Sequence, residues 1–159
     1  MVRKAASEGV SVAWPACAVS SARRAARLLT QLYDSYLADY GIEITQFALL
    51  RMIDASPDKG QAAIAQSLGM DKTTLSRNLK VVREKGWVAS EVGDDARSRQ
   101  LSLTPEGRAM LLRGRPAWKA AQEALHREMG REWDALSSGL DNLSRAATSA
   151  IESRESENS

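Results

Sequence analysis

The run QAAIAQSLGMDKTTLSRNLKVVREKGW, residues 61–87, limits the fold more than any other part of the chain. Ala65 leaves room for a second helix to approach closely. Gly69, four residues later, permits a tight turn, and Leu75, six beyond that, anchors the helix that follows. At ~100° per residue, Leu75, Leu79 and Val82 share one face of that second helix, while Thr73, Ser76, Arg77 and Lys80 point roughly opposite. Asp71 stands where a carboxylate accepts from the free amides of a first turn, and Gly86 ends the helix. These are the packing needs of a helix-turn-helix, with one face held by a scaffold and a polar face presented outward.

The flanks complete a larger unit. WVASEV and RQLSLT alternate in the manner of strands on either side of GDDARS, which predicts a hairpin with a charged tip and turns the unit into a winged helix-turn-helix. Upstream, apolar or small residues recur at 22, 25, 26, 29, 32, 33, 36 and 37, a long amphipathic helix ending near Gly41. Thr45 starts a further helix carrying Phe47, Leu50 and Ile53, broken by SPDKG at 56–60. Downstream, Pro105 begins a long helix, and a last one carries Trp133, Leu136, Leu140, Leu143, Ala147 and Ile151. The fold class expected is mainly α with a small β-wing. The winged helix-turn-helix, residues 45–104, lies between an N-terminal dimerisation helix at 17–44 and C-terminal dimerisation helices at 105–155. A mobile leader at 1–16 and a disordered tail at 156–159 complete the chain. The apolar stripes of the two outer helices exceed what a compact module has room to cover, which argues for a second copy.

With 159 residues and 43% hydrophobic content, the chain has the size of one domain. The net charge of +2 does not announce a polyanion partner, but the charge is polarised. Residues 72–99 hold seven basic groups against four acids, and residues 132–157 hold six acids against Arg145 and Arg154. One cysteine, Cys17, excludes an intrachain disulfide, and one histidine, His126, leaves no cluster of metal-binding spacing, so neither metal nor cofactor is expected. No stretch of ~18 apolar residues and no signal-peptide core occurs, which predicts a cytoplasmic protein with no membrane partner.

The polar face of the second helix suits the major groove of double-stranded DNA. Arg77 has the fork that reaches guanine O6 and N7, Thr73 and Ser76 suit bases or phosphates, and the Thr74 methyl suits a thymine methyl. Lys72, Lys80 and Arg83 suit phosphate, although Arg83 and Lys85 also stand where cations cover a helix end. On the hairpin, Arg97 is the candidate for a minor groove, with Asp95 beside it to orient it and Arg99 in the same contact.

IAQSLGMDKTTLSRNLKVVREKGWV, the wing DDARSRQLSLTPEG and the helix order around them resemble the MarR family of bacterial winged helix regulators, over about residues 19–155. The wing followed by LTPEG is the most specific part. The resemblance implies a homodimer with interlocked terminal helices, an inverted-repeat operator, and transcription control that is usually repression. It also implies that residues 72–85 are the recognition helix and that Arg97 is the wing arginine. Family wings often carry a further acid and a further arginine where this chain has Ser98 and Gln100.

Three further readings remain. Cys17 precedes a helix N-terminus with Arg23 and Arg24 further on, a setting that favours a thiolate, and a branch of the resembled family senses hydroperoxides through a cysteine near this point. It is the candidate redox sensor, set against an unreactive thiol. Tyr33, Tyr36, Arg51, Trp118 and His126 are candidates for a small-molecule effector pocket, set against plain core packing. Trp14, Trp87 and Trp133 read as structural. Catalysis is not expected: SPDK matches S-x-x-K, but it lies in a breaker-rich turn without its partner motifs. The alternative to a regulator is a winged helix protein-protein interaction adaptor.

Overall fold

The computed structural model describes residues 17–57, 59–92 and 99–158. The leader with Trp14 and the hairpin tip with Asp95 and Arg97 lie outside the described residues. Six helices and one antiparallel hairpin follow in order. Helix α1 (Ala18–Leu37) continues into a one-turn 3-10 helix, Ala38–Tyr40, that Gly41 ends at φ 66°. Helix α2 (Ile44–Ala55) begins without a cap from its own flank; the Asp34 carboxylate of α1 instead accepts from the Ile44 amide at 2.7 Å. Helix α3 (Gln61–Ser67) closes with the Met70 amide on the Ala65 carbonyl at 2.9 Å, and Gly69 makes the turn at φ 62°. Helix α4 (Lys72–Glu84) follows.

Strands β1 (Val88–Val92) and β2 (Arg99–Leu103) pair with Val88 opposite Leu103. Helix α5 (Pro105–Met129) then runs through Pro116, a 3-10 turn spans Gly130–Glu132, and α6 (Trp133–Glu157) ends the fold. The LTPEG segment has a specific physical task. The Thr104 hydroxyl donates to the Gly86 carbonyl at 2.7 Å and accepts from the Gly107 amide at 3.0 Å, while the Thr104 amide donates to the Trp87 carbonyl at 3.1 Å. A Cβ on Gly107 would lie 2.0 Å from that Trp87 carbonyl oxygen, so only glycine lets α5 start where it does. The wing root and the start of α5 are thereby joined to the end of α4.

The core is formed by Phe47, Leu49, Leu50, Ile53, Ile64, Leu79, Val82 and Leu101, all almost fully buried, with Leu37 closing it from α1. Each such side chain contributes about 1.5–3 kcal/mol by leaving water. Gly114 of α5 admits the Phe47 ring, since a Cβ there would stand 3.0 Å from ring carbon Cε2. Outside this core the picture changes: Leu37 is the one buried residue of α1, and α6 has none. Helix α6 also runs to Glu157, into the segment the sequence leaves as a disordered tail. Ser156 and Asn158 donate to carbonyls four residues back, at 2.9 and 2.8 Å, and so satisfy backbone groups of the last turns. No helix among the described residues is long and apolar enough to cross a membrane.

Candidate nucleic-acid interface

Helix α4 is seated by Leu75, Leu79 and Val82, which are 3% exposed or less, and so its opposite face is held outward by the core itself. Its start is rigid. Asp71 accepts at 2.8 Å from both the amide and the hydroxyl of Thr74, and the Asn78 amide donates to the Thr74 carbonyl at 3.0 Å. The Thr74 bonds hold the Asp71 carboxyl below its ordinary pKa, because they favour the ionised form.

Lys72, Thr73, Thr74, Ser76, Arg77 and Lys80 are all exposed, on one outward surface. Their availability differs. The Thr74 hydroxyl is committed to Asp71, so that residue has its methyl to offer. Lys80 lies 3.8 Å from Glu84 in an exposed pair, a contact of about 0.3–0.5 kcal/mol that a phosphate readily displaces. Arg77 is exposed and has no ion-pair partner among the described residues, so its guanidinium is not held by a carboxylate of this chain. Lys72 and Ser76 also line a groove of about 530 Å³ between α3 and α4, with Gln61, Gln66 and Met70 on its other side. The two glutamines carry no mark in the sequence, because nothing in a seven-residue helix shows which polar side chains will face its neighbour.

Four neighbouring polar residues take other positions in the fold. Arg83 is half-buried, with Nε and Nη2 shielded from solvent and without a hydrogen-bond partner, so that side of its guanidinium is turned toward the body. Lys85 bonds inward, to the Gly41 carbonyl at 2.8 Å and Gln46 Oε1 at 3.3 Å. Gln100 donates to the Pro57 carbonyl at 3.2 Å and ties β2 to the turn after α2. Arg99 is the first residue of β2.

The five effector-pocket candidates divide. The Arg51 guanidinium lies over the Trp118 ring at 5.1 Å, and Trp118 stacks on Phe47 with centroids 6.3 Å apart. Those three, with Asp54, Leu111, Leu112 and Arg115, line a cleft of about 380 Å³ between α2 and α5. Tyr33 donates to Gln122 Oε1; burial raises its phenol pKa, with the Arg51 charge opposing. Tyr36 packs partly buried against the core. His126 does not join them: it lies against Trp133 at 5.1 Å, about 12 Å along α5 from Trp118. Cys17 is exposed at the start of α1, where the Ser20 amide and hydroxyl and then the Val19 amide draw its thiol pKa below the ordinary value. Among the described residues no group of acids, histidine and cysteine has the makings of a metal site.

Known transcriptional regulators share this fold. The model described as "MarR family" matches residues 40–98. The crystal structure of the Mycobacterium tuberculosis transcriptional regulator MosR in complex with DNA is similar at 36% identity and a TM-score of 0.77. That match covers 85% of this chain and 98% of MosR. The transcriptional repressor CouR bound to a 23-mer DNA duplex is similar at 27% identity and a TM-score of 0.72, over 80% of this chain and 92% of CouR. CouR is also known bound to p-coumaroyl-CoA. The uncharacterised HTH-type transcriptional regulator YwoH of Bacillus subtilis is 28% identical over 83 residues, which span 52% of this chain and 61% of YwoH.

Proposed function

Because this chain belongs to the MarR family of DNA-binding transcriptional regulators, which are not enzymes, we propose that it is a homodimeric repressor. It acts in the cytoplasm on an inverted-repeat operator in double-stranded DNA and is relieved by a small-molecule or oxidant signal. The observation that carries this reading is the pairing of an unengaged Arg77 with a helix whose other face is fully rooted in the core. Two copies joined through α1 and α6 would present their recognition helices one turn of duplex apart, roughly 34 Å, and so read a palindrome. Arg97 of the wing adds the minor-groove contact, with Asp95 and Arg99.

Release follows from the position of the Arg51 and Trp118 cleft. It lies between α2, which packs against both helices of the helix-turn-helix, and α5, which leads to α6. An effector that binds one relative placement of those helices better than the other shifts the dimer away from the DNA-competent form. That CouR binds p-coumaroyl-CoA supports a small-molecule effector of this kind. Cys17, exposed and with a lowered pKa, is the oxidant arm. Replacing it by serine leaves DNA binding intact and abolishes release by peroxide; release that persists in the variant removes the oxidant arm.

The deciding experiment is selection of bound duplexes from a random-sequence library, followed by affinity against salt. A specific regulator loses affinity with a log-log slope of about −0.9 per phosphate contacted. Arg77→Ala costs about 1–3 kcal/mol on the selected duplex and relaxes preference at one base pair of each half-site. Equal weakening on every sequence makes Arg77 a phosphate contact, and recovery of no preferred duplex favours the protein-interaction adaptor instead.

A further inference from the structure

Lys85 is a cation at the end of the recognition helix that does not face the DNA surface. Its ammonium donates to the Gly41 carbonyl at 2.8 Å and to Gln46 Oε1 at 3.3 Å, and stands 4.5 Å from the centroid of the Trp87 ring. Gly41 closes the corner after α1, and Gln46 is a buried polar side chain of α2, 6% exposed, whose oxygen needs a donor. The Asp34 and Glu43 carboxylates line the same cleft and favour a cation there. Trp87, 8% exposed, is the residue whose carbonyl receives the Thr104 amide at the start of α5. One ammonium thus joins the end of α4 to the corner between the outer helix and the module.

Resting on the reading of a DNA-binding dimer, we propose that Lys85 is a positioning residue, a strut that sets the tilt of α4 against α1 and thereby the half-site spacing the dimer accepts. Leu75, Leu79 and Val82 hold α4 on the core, but apolar packing has no direction of its own and resists separation better than it resists pivoting. Hydrogen bonds are directional and oppose the pivot. The leverage is large. Helix α4 has 13 residues. It is therefore about 20 Å long, so a tilt of about 10° at its Lys85 end moves the other end by about 3 Å, close to the ~3.4 Å rise of one base pair.

The test uses two variants of the full chain. Lys85→Met keeps an unbranched apolar stem over Trp87 and removes the donor; Gln46→Leu removes the buried acceptor, leaves every charge in place, and decides the case alone if Lys85→Met does not fold. The probes are the duplex that the wild-type protein selects from a random library, the same duplex with one base pair inserted at its centre, and a random-sequence duplex. Both variants are expected to lose about three- to tenfold on the selected duplex and little on the other two, so the penalty for the inserted base pair shrinks. The salt slope is expected to stay that of the wild type. If Lys85→Met weakens all three probes equally and flattens the slope by about one, Lys85 is a phosphate contact and the strut is overturned. Variants that discriminate spacing as well as the wild type does also overturn it, while the dimer reading survives. A wild-type protein with no preference among the probes overturns both.

Discussion

The winged module and the two outer helices treat their apolar side chains in opposite ways. In the module, Phe47, Leu50, Ile53, Leu79 and Val82 are 2% exposed or less, whereas Val19 and Leu28 of α1 stand 62% and 51% exposed. Along α6, Leu140, Leu143 and Ile151 are 49%, 46% and 59% exposed, at spacings of three and eight residues that keep them on one stripe. A single chain therefore covers the apolar face of the module and leaves uncovered the apolar stripes through which the proposed dimer would form. Damage to the first should appear as unfolding, and damage to the second as a change in assembly.

The largest expected effect is on the module. Phe47→Ala removes the ring that meets Gly114 and stacks on Trp118, and should cost about 3–5 kcal/mol in denaturant unfolding, with loss of DNA binding at any protein concentration. A small shift in midpoint would mean that the core is not centred where the buried residues place it. Leu140→Asp with Leu143→Asp acts on the other region. It should raise the dimer dissociation constant about 10- to 100-fold in sedimentation and lower operator affinity in step, with monomer helicity retained. If the double variant unfolds as Phe47→Ala does, the contrast between the regions fails.

The smallest effect concerns the helix start. The Asp71 carboxyl has a lowered pKa in the folded protein, so its contribution is fully present above the unfolded value near ~3.9 and is lost as pH falls through the folded value. Asp71→Ala should therefore lower Tm by a few degrees at neutral pH, and the gap to the wild type should close in acid. A gap independent of pH would show that the Asp71 charge is not what caps α4.

Much of the interface is legible in the chain because its causes are local. Asp71 and Thr74 are three residues apart, Ala65, Gly69 and Leu75 span one turn, and Thr104 and Gly107 belong to a single helix start. What resisted reading depends on distant partners. Lys85 has the same chemistry as Lys80 and differs only in that Gly41 and Gln46 stand beside it. Gln100 finds Pro57, 43 residues away, and Arg51 finds Trp118 while His126 does not. Gly107 reads as part of a family segment, but its reason is the Trp87 carbonyl, which no spacing in the sequence reveals.

By itself, then, the order of residues determined where α4 and α5 start, which face of α4 is apolar, and that two amphipathic helices flank a winged core, since periodicity and capping act over a few neighbouring residues. Tertiary structure alone decided which cations are engaged by partners within the chain and which are not. It also decided which aromatic residues share a cleft and which apolar stripes are left uncovered. The physical reason is that a side chain's hydrogen-bond partners and exposure are set by elements tens of residues away, and identical chemistry takes opposite roles according to what the fold brings beside it.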